Sequence, residues 1–160
     1  MTGSWFPENC VVVGATGGIG AAFVRRLVTR KGVKSVWCLS RTGRSPVLDP
    51  KVRSAGLDYT SPDSVAAAAR VVEAFAPVDL VIVATGLLHD DGLGPEKSLR
   101  DLDAEQLARA YLVNAIGPAL VAKAFLPLLP REGKSVFAAL SARVGSISDN
   151  RMGGWYGYRA

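Results

Sequence analysis

The sequence predicts an α/β fold in which a parallel β-sheet is covered by helices on both faces. Three observations carry this. Short apolar runs alternate with longer stretches of helical spacing, so strands and helices take turns along the chain. The runs Val11-Val12-Val13 and Leu80-Val81-Ile82-Val83 are apolar at every position, as strands buried on both faces are. A glycine cluster, Gly14-Ala15-Thr16-Gly17-Gly18-Ile19-Gly20, joins the first strand to the first helix.

The elements follow in order. Residues 1–9 read as a short disordered lead-in. Strand one spans 10–14, and helix one spans 18–31 and ends near Gly32. Strand two covers 33–40, with Val36, Trp37, Cys38 and Leu39 as its apolar centre. Residues 41–46 are a polar loop. A weaker third strand spans 52–57 and ends at Asp58. Ser61 followed by Pro62 is an N-cap with proline at the first helical position, and that helix runs to about Phe75. Strand four covers 79–84. Residues 86–100 form a loop rich in glycine and charge. Asp103 caps a long helix that reaches about Leu126, with Gln106 at the capping-box position. Strand five covers 135–140, and the last twenty residues read as a loop. The 160 residues form one domain.

Composition narrows the function. The apolar segments are broken by Gly, Pro or charge short of the roughly 20 residues of a membrane span, so no membrane association is expected. No basic-then-apolar leader precedes strand one, and a cytoplasmic setting is expected. Cys10 and Cys38 fall in buried strands and read as small core hydrophobes. With one histidine, His89, they make no metal site. His89, Asp90 and Asp91 read as solvated loop charge. The net charge of +5 is spread along the chain, and its densest basic stretch (Arg41, Arg44, Lys51, Arg53) suits an anionic small molecule rather than nucleic acid.

The glycine cluster points to that molecule. Strand, glycine turn and helix together form the context of a dinucleotide-binding fingerprint. Gly14 permits the sharp turn off the strand, a side chain at Gly18 would obstruct a pyrophosphate, and Gly20 lets the helix pack closely. Free N–H groups at the helix start then face the phosphates, together with Thr16, Gly17 and Ile19. The spacing fits both G-x-x-x-G-x-G and G-x-x-G-x-x-G. About 20 residues on, where NAD binders carry a carboxylate, stand Ser40 and Arg41, and no carboxylate occurs between Gly20 and Asp49. Arginine pairs with a 2′-phosphate that a carboxylate would repel, so NADP(H) is expected over NAD(H). Asn114 lies four residues before Pro118, whose missing N–H leaves the Asn114 carbonyl without its helical partner.

These motifs, with Leu57-Asp58, Ala84-Thr85-Gly86, Asn114 to Pro118, Ser141 to Ser146 and Tyr156 to Ala160, resemble the short-chain dehydrogenase/reductase family, in the branch of C-factor signalling proteins and sniffer-type carbonyl reductases. The resemblance covers essentially the whole chain and favours the G-x-x-x-G-x-G reading. It implies a three-layer, Rossmann-like, doubly wound sheet, and hydride transfer to or from a small carbonyl or alcohol substrate. It implies that Asp58 binds the adenine amine and that Ala84, Thr85 and Gly86 run beside the cofactor ribose, with Ala84 in place of the family's Asn. Asn114 would anchor a proton-relay water, Tyr158 would exchange the proton and a serine would orient the carbonyl. Ser141 is the first choice for that serine and Ser146 the second, because the register to Gly145 is shifted by one residue.

The family also carries a lysine four residues after the tyrosine, which would be position 162, past Ala160. The expectation is therefore a sheet incomplete at its C-terminal side and an NADP(H)-dependent oxidoreductase impaired as 160 residues, either a fragment or a natural truncation. The alternative is a non-catalytic nucleotide-binding or signalling protein of the same fold. The resemblance further implies a homo-oligomer formed through helix 103–126.

Overall fold

A computed structural model of the chain describes residues 5–90 and 94–160. Five strands form one parallel sheet: β1 (Asn9–Val13), β2 (Ser35–Ser40), β3 (Val52–Gly56), β4 (Leu80–Val83) and β5 (Val136–Ala139), in the order β3-β2-β1-β4-β5. The doubly wound α/β architecture is as the sequence predicts. The strand order reverses between β1 and its two neighbours, so a crevice opens at their carboxyl ends, where such sheets bind ligands.

Register explains the two cores. Val11 pairs with Trp37 and Val81, and Val13 with Leu39 and Val83. This set faces α2 (Pro62–Glu73) and α4 (Gly117–Phe125), meeting Val65, Ala68, Val72, Val121 and Phe125. The alternate residues Cys10, Val12, Val36 and Cys38 face α1 (Gly18–Val28), meeting Val24 and Leu27. Successive side chains of a strand point to opposite faces, so an all-apolar run serves both layers. Both cysteines are free and buried, and burial raises the Cys10 thiol to about 12, with Asp79 adding to the effect.

Some boundaries differ from expectation. The first strand begins at Asn9, because the Asp79 carboxylate accepts the Glu8 and Asn9 N–H groups at 2.9 Å each and ties the lead-in to the sheet. Helix α1 stops at Val28, three residues early. The Lys51 ammonium donates to the Val28 and Arg30 carbonyls at 3.1 and 3.0 Å, a partner that local spacing does not show. Helix α2 starts as expected, with the Ser61 hydroxyl accepting from the Ser64 N–H at 3.2 Å.

The long helix is compound. Its first part, α3 (Ala104–Tyr111), is capped by Asp103, which accepts from the Gln106 N–H at 2.9 Å. A π-helical turn, Leu112–Ile116, follows and leads into α4. The expected disturbance at Pro118 thus takes the form of a widened turn, in which the Gly117 N–H reaches back to Leu112. By length and composition alone Ala104–Leu128 is long and apolar enough to cross a bilayer, whereas the sequence reading expected no such segment. In the fold, Val121 and Phe125 of this run are fully buried in the layer beside the sheet. The last twenty residues are not all loop. A short helix, α5 (Tyr156–Arg159), carries Tyr158, preceded by Gly153, Gly154 and Trp155 at φ of 66°, 68° and 55°.

Candidate functional site

Two adjoining clefts, of about 380 and 490 Å³, run along the carboxyl ends of the strands. Gly17, Ala84, Thr85 and Gly86 line both, and so form the ridge between them.

The glycine turn is built by close backbone approach. Gly14 turns off β1 at φ 80°, and its N–H donates to the Leu39 carbonyl at 2.8 Å. A Cβ at Gly14 would stand 3.0 Å from the Ala84 carbonyl oxygen, and one at Gly20 only 2.2 Å from the Gly14 carbonyl oxygen. Gly20 is therefore needed by the fold itself and lines neither cleft. A Cβ at Gly18 would meet no protein atom within 4 Å, so the space beside it is open. Ile19, at the start of α1, is 61% exposed on the edge of the second cleft.

The first cleft holds the residues expected at the adenosine end. Ser40, at the end of β2, is buried, and its hydroxyl pairs with Thr42 at 3.3 Å and donates to the Arg44 carbonyl at 3.4 Å. These bonds shape the loop that presents Arg41 to the cleft. Across from it, Asp58 accepts the Thr60 N–H and hydroxyl at 2.9 and 2.8 Å. Those bonds, with the nearby Arg41 guanidinium, hold its carboxyl below the usual range, so it stays ionised as an acceptor.

Tyr59 was not singled out in the sequence. Its buried phenol hydrogen-bonds the Thr85 hydroxyl, and its ring lies against Gly117, where a Cβ would be 2.7 Å from the ring. Burial pushes this phenol up to about 12, against the opposing Thr85 bond. Tyr59 thus ties the cleft floor to the helix just past the π-helical turn. The Arg109–Asp90 ion pair was also missed and joins α3 to the loop after β4 at the rim of the first cleft. His89 is exposed, and Asp91 lies outside the described residues.

The second cleft is lined by Gly18, Ile19, Asn114, Ser141 and Tyr158, which the fold brings together from four separate elements and loops. The Asn114 side chain accepts from the Leu87 N–H at 2.7 Å and donates to the Leu87 carbonyl at 2.8 Å. This paired bond fastens the loop after β4 to the π-helical turn and leaves the Asn114 backbone carbonyl opposite a residue without N–H. Ser146 lies apart: its hydroxyl pairs with Ser148 and accepts from the Asp149 N–H, both at 3.3 Å. Tyr158 meets Trp155 edge-on at 6.3 Å.

The arrangement fits a dinucleotide. An open cradle faces Gly18 at a helix N-terminus, an arginine stands at the end of β2, and two hydroxyls flank the far end. Gly17 and Gly18 would receive the diphosphate, and the nicotinamide, when bound in the second cleft, would supply or accept hydride. Among the described residues no three His, Cys, Asp or Glu side chains are grouped to hold a metal.

Comparison with known proteins identifies the family. Residues 8–153 match the family model described as short chain dehydrogenase. The chain is 35% identical over 153 residues to 1-hydroxy-2-glutathionyl-2-methyl-3-butene dehydrogenase of Rhodococcus, covering 95% of this chain and 64% of that protein. It is 36% identical over 83 residues to C-signal of Myxococcus xanthus, covering 52% of this chain and 47% of the relative. Its fold superposes on NADPH-bound carbonyl reductase from chicken fatty liver with a TM-score of 0.77 at 24% identity, covering 92% and 61% of the two chains. The chain thus spans about half to two thirds of the length of these relatives. With a parallel sheet wound about a glycine turn, and with residues 8–153 of its 160 matching the family model, this chain belongs to the short-chain dehydrogenase family.

Proposed function

We propose that the chain is the nucleotide-binding portion of an NADP(H)-dependent reductase or dehydrogenase that acts on a small carbonyl or alcohol. The observation that carries this reading is the convergence of Ser141, Tyr158 and the open Gly18 cradle on one cleft. In the reducing direction the Ser141 hydroxyl donates to the substrate carbonyl oxygen and orients it. The Tyr158 phenol gives its proton to that oxygen as hydride reaches the carbon. Asn114 fixes the adjoining loop through Leu87, and its backbone carbonyl, opposite the proline without N–H, would seat a proton-carrying water. Arg41 supports the phosphorylated dinucleotide, as does the NADPH held by the structural neighbour from chicken.

The Rhodococcus relative is named for a dehydrogenase of an alcohol, which favours a hydroxyl or carbonyl as the reacting group. We place the protein in the cytoplasm as a homo-oligomer joined along α3 and α4, with no metal, nucleic acid or membrane partner. A second reading, a non-catalytic nucleotide-binding or signalling protein, is favoured by the likeness to C-signal.

The test is oxidation of NADPH by the full-length protein with a panel of small aldehydes and ketones, read at 340 nm, beside a calorimetric titration of the same cofactor. Turnover that Tyr158→Phe abolishes supports the enzyme. Binding without turnover supports the second reading. No binding of NADPH or NADH removes both.

A further inference from the structure

A buried carboxylate lies outside the two clefts. Glu96, in the segment before α3, is 7% exposed, and the partners of its side chain lie in the segment that carries Tyr158. Both carboxylate oxygens accept from the Gly157 N–H, at 3.2 and 3.4 Å, and the Glu96 backbone carbonyl accepts from the Trp155 N–H at 2.6 Å. The fit leaves no slack. A Cβ on Gly157 would stand 2.9 Å from a Glu96 carboxylate oxygen and 3.2 Å from Leu107, and one on Gly154 would stand 3.1 Å from the Glu96 carbonyl oxygen.

From the other side, Arg159 clamps the same segment. Its guanidinium donates to the carbonyls of Gly154 at 2.7 Å, Val144 at 2.6 Å and Gly153 at 3.1 Å. The Val144 bond reaches the turn that follows Ser141, so one side chain joins the serine-bearing and tyrosine-bearing segments. These two residues, with Asn150, whose side chain accepts from the Gly153 N–H at 3.1 Å, grip a stretch of three successive positive-φ residues in which Trp155, as a non-glycine, carries backbone strain. A buried polar group is retained where its partners compensate for lost hydration, and here the Glu96 carboxyl takes the Gly157 N–H while its backbone carbonyl takes the Trp155 N–H, so one residue holds the backbone on either side of Tyr156.

Resting on the proposed reductase reading, we propose that Glu96 and Arg159 are positioning residues that seat the Tyr158 hydroxyl in the second cleft. Glu96 lines neither cleft and Arg159 lies at the edge of the second, and both act through the backbone of residues 153–157. Misplacing a reacting group by about 1 Å costs on the order of 100-fold in rate, whereas the nucleotide cradle, built on β1 and α1, is untouched. The signature is a loss in kcat with cofactor affinity preserved.

The experiment uses the full-length protein with Glu96→Ala, Glu96→Gln and Arg159→Lys. NADPH affinity, kcat and KM are measured for each, with hydrogen exchange over residues 153–159. For Glu96→Ala the expected result is a kcat lower by roughly 10- to 100-fold, faster exchange over 153–159, and an NADPH affinity within threefold of wild type. Glu96→Gln keeps an acceptor for the Gly157 N–H and is expected to recover most of kcat. Arg159→Lys replaces a planar fork with a single ammonium and is expected to lose kcat as Glu96→Ala does. A folded Glu96→Ala with wild-type kcat overturns the inference and leaves the reductase reading standing. So does a parallel fall of kcat and NADPH affinity, which marks a general structural role. A wild-type protein that turns over no carbonyl removes the reductase reading instead. The exchange data then decide the seating of Tyr158, and unchanged exchange in Glu96→Ala refutes it.

Discussion

Gly18→Ala and Gly20→Ala, two residues apart in one helical turn, should have opposite effects on stability and on binding. At Gly20 the new methyl carbon would lie 2.2 Å from the Gly14 carbonyl oxygen, 2.8 Å from the Gly14 carbonyl carbon and 3.1 Å from the Ala15 Cα. All three are backbone atoms at the end of β1, so no side chain can swing away. Relief requires a shift of about 1 Å between helix and strand, and such overpacking costs about 1–3 kcal/mol. For a chain of this size that corresponds to a fall in Tm of roughly 3–10 °C. At Gly18 the same methyl meets nothing within 4 Å, and alanine lowers the entropy of the unfolded chain. Gly18→Ala should melt at the wild-type temperature or slightly above it.

The binding effects reverse. If the diphosphate occupies the open space at Gly18, the methyl lies where the phosphate must approach the N–H groups. Losing one charge-assisted hydrogen bond costs about 1.5–3 kcal/mol, or roughly 10- to 100-fold in affinity. Thermal melts and calorimetric titration with NADPH read the two effects separately. Wild-type affinity in Gly18→Ala refutes the assignment of the cradle, and a wild-type Tm in Gly20→Ala refutes the packing argument.

Other outcomes follow from the same geometry. Arg41→Asp should lower the ratio of NADPH to NADH affinity by roughly 10- to 100-fold, because a carboxylate replaces the partner of the 2′-phosphate, and an unchanged ratio removes Arg41 from that role. Asn114→Ala strips the Leu87 N–H and carbonyl of their partners at once, and should destabilise by about 1–3 kcal/mol, read by denaturant midpoint. Tyr59 titrates near 12 when folded and near 10 when unfolded, so the folded state holds the extra proton between those values. Its contribution to stability is complete below about pH 10 and is lost as pH rises toward 12. Tyr59→Phe should flatten that alkaline decline in a Tm–pH series, and a slope identical to wild type contradicts the burial of the phenol. Some decline should persist, because the Cys10 thiol is also raised to about 12.

What the sequence shows is what neighbouring residues decide. The strand-turn-helix at Gly14 to Gly20, the Ser61-Pro62 start of α2 and the Asp103 cap of α3 each lie within a few residues of their cause, and each is legible. The end of α1 is not, because it depends on Lys51, more than twenty residues further along. The disturbance at Pro118 is legible as a missing N–H. That it becomes a π-helical turn depends on tertiary packing, in which the Tyr59 ring lies against Gly117. Tyr59 gave one usable signal, a large aromatic directly after Asp58, and Glu96 gave none: a single acid in a charged loop looks solvated until Gly157 arrives from 61 residues away.

The two halves of the cleft therefore rest on different kinds of support. The adenosine end is made from the carboxyl ends of β1 to β4, and these hold one another through sheet hydrogen bonds and a fully buried core. The tyrosine end is a short helix entered through left-handed backbone and held chiefly by Glu96 and Arg159, with the Asn150 side chain accepting from the Gly153 N–H. Sheet bonds are many and share any perturbation, whereas the two grips on residues 153–157 do not substitute for each other, one holding the Trp155 and Gly157 N–H groups and the other the Gly153 and Gly154 carbonyls. Damage to the tyrosine end should thus leave nucleotide binding intact, while damage to the glycine turn should reach both ends, because Gly17 and Thr85 belong to both clefts.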